Sequence, residues 1–352
     1  MKAMVLAAGL GERLAPLTHV VPKPLLPVLG RPIAPQVLSR LALEGIDEAV
    51  INLHHLPQRI REAFGDGTAF GLRALHYSLE DGQLLGTGGG LAHAAARLRG
   101  AGTILVRNSD FLADISLADV VAAHRRSGCP ATLVVTPHRS RYTRVRVDRA
   151  TRVSAFGTGD HLFTGYHLIE ESVLDLIPGS GPSDIVRDVY FALAAAGRLN
   201  AYVHEGSWWE FGAPDEYLEG SLGLIAAPAE QRARLGDFDL VRLMDRAIAA
   251  IGPGADLEAS DIRMEGAVAI GLGAMVGEGV SIRDTVIMPE AWIGPRTKLD
   301  RCIVGPGAEV PAGFEASDAV IAGDTDPHRP LPRSIERIDG LLLRRFSGAP
   351  AR

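Results

Sequence analysis

The sequence predicts an α/β protein in which a doubly wound, mostly parallel sheet is followed by a C-terminal β-helix built from short repeats. Three observations predict it. Apolar runs of strand length alternate with helical patterns over residues 2–137. The first of these runs ends in a glycine turn, Gly9-Leu10-Gly11. Near the C-terminus, three consecutive blocks keep one apolar phase over residues 269–319.

Residues 2–7 (KAMVLA) read as a buried strand feeding the glycine turn. A helical pattern at 35–44 stops at Gly45. AVINL (49–53) is the second strand, PQRIREAF (57–64) a short helix and RALHYS (73–78) the third strand. GTGGG (86–90) opens a helix that runs to Leu98. TILVRNSD (103–110) is a fourth strand with a polar end; a helix over 116–126 precedes the fifth, ATLVVTP (131–137). Ligands of such sheets sit at the carboxyl ends of strands. Gly9, Gly11 and Asp110 all follow strand ends and are expected to share one crevice.

From 140 to 225 the pattern is mixed. RVRVD (144–148) and HLFTGYHLIE (161–170) are strand candidates, and residues 183–197 a helix stopped by Gly197. AYVHEGSWWEFG (201–212) is a strand and turn, and 214–225 a helix with Pro214 just inside its start. The Ala- and Arg-rich stretch 227–250 is expected to be a helical connector. The blocks 269–285, 286–302 and 303–319 then align Ile270 with Ile287 and Val304, and Val276 with Ile293 and Val310. Such a coil buries its apolar positions only against a stacked neighbour.

The chain has 352 residues, enough for two domains, with 47% hydrophobic and 22% charged residues, as in globular proteins. A net charge of −6 argues against general nucleic-acid binding. Two distant cysteines, Cys129 and Cys302, make no disulfide framework, so a reduced, cytoplasmic setting without membrane insertion is expected. The first apolar run breaks at Gly9, too early for a membrane span.

Gly9-Leu10-Gly11 is neither a P-loop, since no Gly-Lys-Ser/Thr follows, nor a full dinucleotide fingerprint, since the third glycine is missing. Two cations nearby point to phosphate. Arg13 can grip two oxygens, and Lys23, one of three lysines in the chain, offers a compact charge between Pro22 and Pro24. Backbone N–H groups at a glycine turn can approach phosphate oxygens closely.

LAAGLGERLAPLT followed by PKPLLPV resembles the signature of the sugar-1-phosphate nucleotidyltransferases. NLHHL (52–56), YSLEDGQLLGTGGGL (77–91) and FTG (163–165) resemble the N-acetylmuramate-1-phosphate uridylyltransferase branch. NSD (108–110) and WWEFGAPDEYLEG (208–220) also resemble family segments. The likeness spans about residues 1–225, and the repeat segment resembles the left-handed β-helix of hexapeptide-like repeats appended to mannose-1-phosphate guanylyltransferases, among others.

This resemblance implies a Rossmann-like nucleotidyltransferase domain over 1–228, a helical connector over 229–250, a left-handed β-helix over 251–325 and a tail over 326–352. It implies Mg²⁺-dependent transfer of a nucleotidyl group to a sugar 1-phosphate, with release of pyrophosphate. Ala7, Ala8, Gly9 and Gly11 would bind the nucleotide, with Arg13 on the leaving pyrophosphate and Lys23 on the α-phosphate. Gln83 or Glu80, with Gly86, Gly88 and Gly89, would face the base and ribose; Thr164, Gly165 and Asp184 would face the sugar; Asp110 and Glu210 would hold the metal. His54 and His55 are adjacent on an extended run and point to opposite faces, which disfavours a shared metal. Trp208 and Trp209 read as packing residues.

Glu12, Ser109, Glu210 and Ala213 depart from the common family pattern, and AFGTGDH stands where many members carry Glu-Lys-Pro. These departures touch substrate identity more than reaction type. The repeat segment favours GTP and mannose 1-phosphate; the N-terminal motifs favour UTP with N-acetylmuramate or glucose 1-phosphate. The balance leans slightly to GTP. A non-catalytic sugar-nucleotide sensor stays open beside these, and a homo-oligomer assembled through the repeats is expected. Acyltransfer by the repeats is disfavoured, because the three blocks contain no histidine.

Overall fold

The first apolar run becomes β1 (Lys2–Leu6), at the centre of a sheet. In this computed structural model the described residues are 1–137, 142–235, 241–243, 246–257, 259 and 261–346. The chain divides into two units, Met1–Leu10 with Ala34–Trp208, and Gly11–Ile33 with Trp209–Arg352.

In the first unit β1 pairs in parallel with β2 (Glu48–Leu53), which pairs in parallel with β3 (Ala74–Leu79). On its other side β1 pairs in parallel with β4 (Thr103–Asn108). The helices α1 (Ile33–Leu43), α2 (Pro57–Phe64) and α3 (Gly86–Leu98) intervene along the chain. Strand succession therefore reverses between β1 and β4, and the crevice outside their carboxyl ends is the switch point of the sheet. Ser109 N donates to Leu6 O across it at 3.0 Å.

Beyond β4 the sheet is mixed. After α4 (Leu117–Ser127), the strands are β5 (Ala131–Pro137), β6 (Arg144–Val147), β7 (Val153–Phe156), β8 (His161–Glu170) and β9 (Leu199–Val203). The long β8 runs antiparallel to β4 and β5, and β9 runs parallel to β5. The expected mostly parallel sheet is thus parallel through β4-β1-β2-β3 and mixed on one side. Met4, Val50, Val106, Leu133, Ile169 and Leu199 carry one continuous core through both parts. The helix expected over 183–197 is irregular: a π-helical turn, Val186–Tyr190, leads into α5 (Phe191–Ala195). That turn buries Val189 and Tyr190, and the Tyr190 hydroxyl meets His167 Nδ1.

In the second unit the repeat stacks as its phase predicts. The strands β10 (Ala247–Ile251), β11 (Arg263–Ile270), β12 (Ser281–Ile287), β13 (Lys298–Val304) and β14 (Glu315–Gly323) pair in parallel, each with the next. Ile270 pairs with Ile287, Ile287 with Val304, and Val304 with Ile321. A second parallel stack pairs Val276 with Ile293 and Ile293 with Val310. These residues are at most 4% exposed and form one core. Each coil completes the burial of its neighbour.

Three boundaries differ from expectation. The connector is helical only as α7 (Ala229–Leu235), following α6 (Pro214–Ala226); Val241–Leu243 and β10 are strands. β10 is Ala-rich, but pairing with β11 buries Ala249 and Ala250 at 0% and 2% exposure, and this tertiary gain overrides helix propensity. The tail is not an appendage: β15 (Leu341–Arg345) folds back antiparallel onto β14 and covers that edge of the stack, and Glu336–Ile338 pairs antiparallel with the far side of β15. The units part at Trp208/Trp209 rather than at 228, and α6 packs against β10–β13. Tyr217, Leu218, Leu224 and Ile225 are buried on it. Residues 236–240 and 244–245 of the connector and 347–352 of the tail lie outside the described residues.

Candidate active site

In the first unit β1 delivers Ala7 and Ala8, both buried, and then Gly9, where a Cβ would meet nothing within 4 Å. The main chain here is anchored from behind. Ala7 N donates to Asn52 Oδ1 at 2.7 Å, and Asn52 Nδ2 donates to Glu80 Oε1 at 2.7 Å. Glu80 Oε2 accepts from Leu85 N at 2.8 Å. Asn52 and Glu80 are only 3% and 2% exposed, so each polar atom requires its partner. A Cβ at Gly90 would lie 2.8 Å from both Asn52 Nδ2 and Glu80 Oε1, which explains a glycine inside α3. This relay ties the exit of β1 to the 80–85 loop. It also corrects one expectation: Glu80 faces inward and does not read a base, whereas Gln83 is exposed. Asn52 lies at the carboxyl end of an apolar strand, the one local sign of its role.

Glu80→Gln tests the relay. The new amide places a donor against either Leu85 N–H or the Asn52 amide. Urea unfolding is expected to show a loss of about 2 kcal/mol, and KM for the nucleoside triphosphate rises more than KM for the sugar phosphate. An unchanged midpoint with unchanged KM values contradicts the relay.

The glycines of α3 make their close approach to the chain itself. A Cβ at Gly86, which has φ 71°, would lie 2.7 Å from Ser183 O, and one at Gly89 would lie 2.7 Å from Gly181 O. Gly88 N donates to Ser183 O at 2.8 Å. The face expected to be open to a base is therefore closed at Gly88 and Gly89 by residues 181–185, while Gly86 keeps an exposed position.

Asp110 follows β4 and is half-buried. The turn that carries it is spanned by Arg107, whose side chain donates to Asn108 O at 3.2 Å and Phe111 O at 2.9 Å. The guanidinium lies over the Phe111 ring, 4.4 Å from its centroid. Burial pulls its pKa down to about 10, so it stays charged at neutral pH. An arginine inside the apolar run ILVRNSD was the available signal for this brace.

Of the sugar-side candidates, Thr164 is buried and donates its hydroxyl to Val134 O at 2.8 Å, so it is a backbone anchor and not an open contact. Gly165 has φ 78°, and a Cβ there would sit 2.5 Å from Asn108 Nδ2, so only glycine lets β8 pass the end of β4. Asp184 accepts from Arg187 N at 2.9 Å and caps the helical turn. His54 Nδ1 lies 2.8 Å from Glu80 O. Trp208 is buried in ring contact with Phe111, as a packing residue.

In the second unit Gly11 has φ 68°, and a Cβ there would strike Thr18 Cγ2 at 2.7 Å. Thr18 Oγ1 donates to Gly11 O at 3.0 Å and fixes the turn. The Lys23 Cβ is 3.4 Å from the same built position, so the lysine stem rises beside Gly11. Lys23 opens a one-turn helix after an extended Pro22. Arg13 lies in the preceding turn, Glu12–Leu14, with its side chain 60% exposed. Its guanidinium is 3.9 Å from Glu210 and 3.9 Å from Glu216. A Cβ at Gly212 would lie 2.7 Å from Glu210, 2.8 Å from Arg13 and 3.0 Å from Glu216, so glycine makes room for this trio. Glu216 had no visible role in the sequence. Glu210 keeps a carboxylate available, but Arg13 competes for it.

A switch-point crevice with anchored main-chain groups characterises a nucleotide-handling α/β enzyme, and an exposed arginine beside carboxylates suits an oxyanion ligand. The comparisons agree. The nucleotidyl transferase family profile matches residues 2–226. A mannose-1-phosphate guanylyltransferase of Mycobacterium tuberculosis is 34% identical over 321 residues, covering 88% of this chain and 81% of that protein. A UTP–glucose-1-phosphate uridylyltransferase of Synechocystis is 28% identical, covering 88% of this chain and 86% of that protein. A Bacillus anthracis crystal structure provisionally named a glucose-1-phosphate thymidylyltransferase matches with a TM-score of 0.57 at 20% identity, over 63% of this chain and 94% of its own, and shares the fold. The chain belongs to the nucleotidyl transferase family, as a sugar-1-phosphate nucleotidyltransferase. Among the described residues no helix is long and apolar enough to cross a membrane.

Proposed function

We propose that the chain transfers a guanylyl group from GTP to mannose 1-phosphate. A phosphate oxygen of the sugar 1-phosphate forms a bond to the α-phosphorus, the bond from that phosphorus to the bridging oxygen breaks, and pyrophosphate leaves with the electron pair. The nucleophile is already an anion, so no general base is required. The demand is for positioning and for cations where charge accumulates. The Ala7 N–H, expected to bind the nucleotide, is instead taken by Asn52 Oδ1; the backbone N–H groups of Ala8, Gly9 and Gly11 bind phosphate oxygens, Arg13 meets the leaving pyrophosphate and Lys23 the α-phosphate. Gln83 and Gly86 lie on the base side, and Gly165 and Asp184 on the sugar side.

The observation that carries this reading is the Arg13 trio. The guanidinium lies 3.9 Å from both Glu210 and Glu216, beyond hydrogen-bond distance, and the side chain is 60% exposed, which leaves its donors able to grip an incoming oxyanion.

Magnesium fits this donor set. Among the described residues no cluster of three or more His, Cys, Asp or Glu could hold a metal by itself. Mg²⁺ typically takes one or two carboxylates and completes its shell with water and substrate phosphates. Asp110 supplies such a carboxylate, with Glu210 the second candidate. When bound, the ion neutralises phosphate charge as the leaving group departs.

The two parallel stacks with a one-block register are read as a left-handed β-helix over 251–325 that serves assembly into a homo-oligomer, with residues 1–228 as the catalytic portion. GTP and mannose 1-phosphate are favoured by the likeness to a mannose-1-phosphate guanylyltransferase, 34% identical over 321 residues. Pyrophosphate release measured across four nucleoside triphosphates and a panel of sugar 1-phosphates tests the pair. GTP with mannose 1-phosphate is expected to exceed every other pair by about tenfold or more in kcat/KM, a difference of roughly 1.4 kcal/mol. Faster turnover of UTP with glucose 1-phosphate would replace this reading by the uridylyl one. No turnover with any pair, alongside tight binding of a nucleotide sugar, would make the chain a sensor.

A further inference from the structure

The C-terminal hairpin reaches the signature turn inside the second unit. Arg344, on β15, donates its Nη1 to the main-chain oxygen of Glu12 at 2.8 Å and to that of Ala15 at 3.3 Å. These two carbonyls bracket the Glu12–Leu14 turn that carries Arg13. The turn has few main-chain bonds of its own: Leu14 N to Gly11 O at 2.8 Å and Ala15 N to Glu12 O at 3.2 Å. A carbonyl oxygen has two lone pairs, so Glu12 O can accept from Ala15 N and Arg344 together. A guanidinium offers a fork of donors, which suits two carbonyls at once.

Apolar contacts repeat the same connection. Ala15 packs with Ile335 and Leu342 of the C-terminal segment in a small buried cluster, with Leu331 against it. A Cβ at Gly305, in the repeat stack, would lie 2.9 Å from Leu17 Cδ2, so that glycine leaves the space Leu17 occupies. The neighbouring Arg345 donates elsewhere, to Ser317 O at 3.4 Å.

We propose that Arg344 is a positioning residue for the reaction: by holding the Glu12 and Ala15 carbonyls it fixes the turn that aims Arg13, so the C-terminal hairpin is a working part of the phosphate site. This rests on the role given above to Arg13. A small misplacement of a group aimed at the reacting phosphates is costly, because catalysis here depends on positioning.

Arg344→Ala, Arg344→Lys and Arg345→Ala are compared with the wild type by steady-state kinetics and by amide hydrogen exchange without substrates. In Arg344→Ala, kcat is expected to fall about tenfold or more, with KM for the sugar 1-phosphate changed less than about twofold. Exchange at the Leu14 and Ala15 amides quickens, while amides of β11–β14 keep their protection. Arg344→Lys recovers part of kcat and of the protection, because an ammonium can still donate to one carbonyl. Arg345→Ala behaves as wild type in both measurements. Wild-type exchange at Leu14 and Ala15 in Arg344→Ala overturns the proposal, as does an equal loss of kcat in Arg344→Ala and Arg345→Ala. The exchange measurement needs no turnover. An inactive wild type would therefore refute the transferase reading, while the exchange at Leu14 and Ala15 would still decide the role of Arg344.

Discussion

Replacing Lys23 with alanine lowers kcat by about 10²–10³-fold, the usual cost of removing one preorganised donor at a site of developing charge. The fold is expected to survive. Lys23 is only half-buried, and the one-turn helix it opens is set by Pro22 and the buried Pro24, which the substitution leaves in place. The loss appears mainly in kcat, because the charge that Lys23 meets grows as the α-phosphorus is attacked. Lys23→Arg is not expected to restore the rate, since it replaces a compact charge with a wide planar fork beside Gly11, where the stem already runs close to the turn. Steady-state kinetics with a urea unfolding curve checks both halves. Activity within threefold of wild type would remove Lys23 from the reaction.

Asp110→Asn is expected to lower Mg²⁺-dependent turnover by about 10³-fold or more, since a neutral amide replaces the one carboxylate the β4 turn offers to a hard cation. The substitution is nearly isosteric. Arg107 keeps its bonds to Asn108 O and Phe111 O, so the turn is expected to hold its shape. The variant should therefore retain its unfolding midpoint while its Mg²⁺ dependence no longer saturates in the wild-type range. Direct titration with Mn²⁺ in place of Mg²⁺, read by paramagnetic relaxation, gives the same comparison without turnover. Wild-type metal affinity in Asp110→Asn would move the ion to other ligands and leave Asp110 a structural residue.

Much of the architecture is legible in the sequence because its causes are local. Apolar runs and helical periods set β1–β4 and α1–α4 within a few residues of their observed ends. The 17-residue phase of the repeat predicts the register that pairs Ile270, Ile287 and Val304. The glycine turn, Arg13 and Lys23 fall within a short stretch whose residue types announce phosphate chemistry. Where local signals mislead, a distant partner decides. Residues 247–251 look helical by composition and become a strand because β11 offers a paired edge. Thr164 looks like a sugar contact beside Gly165 and is instead bonded inward to Val134 O.

The chemistry proposed for this protein, with Arg13 and Lys23 near a glycine turn and an aspartate after β4, is read from residue types and short spacings. Its geometry is not. Glu80 is a buried anchor and not a base reader because Asn52 and Leu85 N converge on it, and no spacing announces that. Arg13 comes to lie beside Glu210 and Glu216, and its turn is bonded by Arg344, 332 residues from Glu12. A buried polar group takes whichever partner folding brings within bonding distance, because leaving it unpaired costs about 1–3 kcal/mol. Contacts of that kind exist only once distant segments have packed, so tertiary structure alone decides which charges are tied and which are left to meet a substrate.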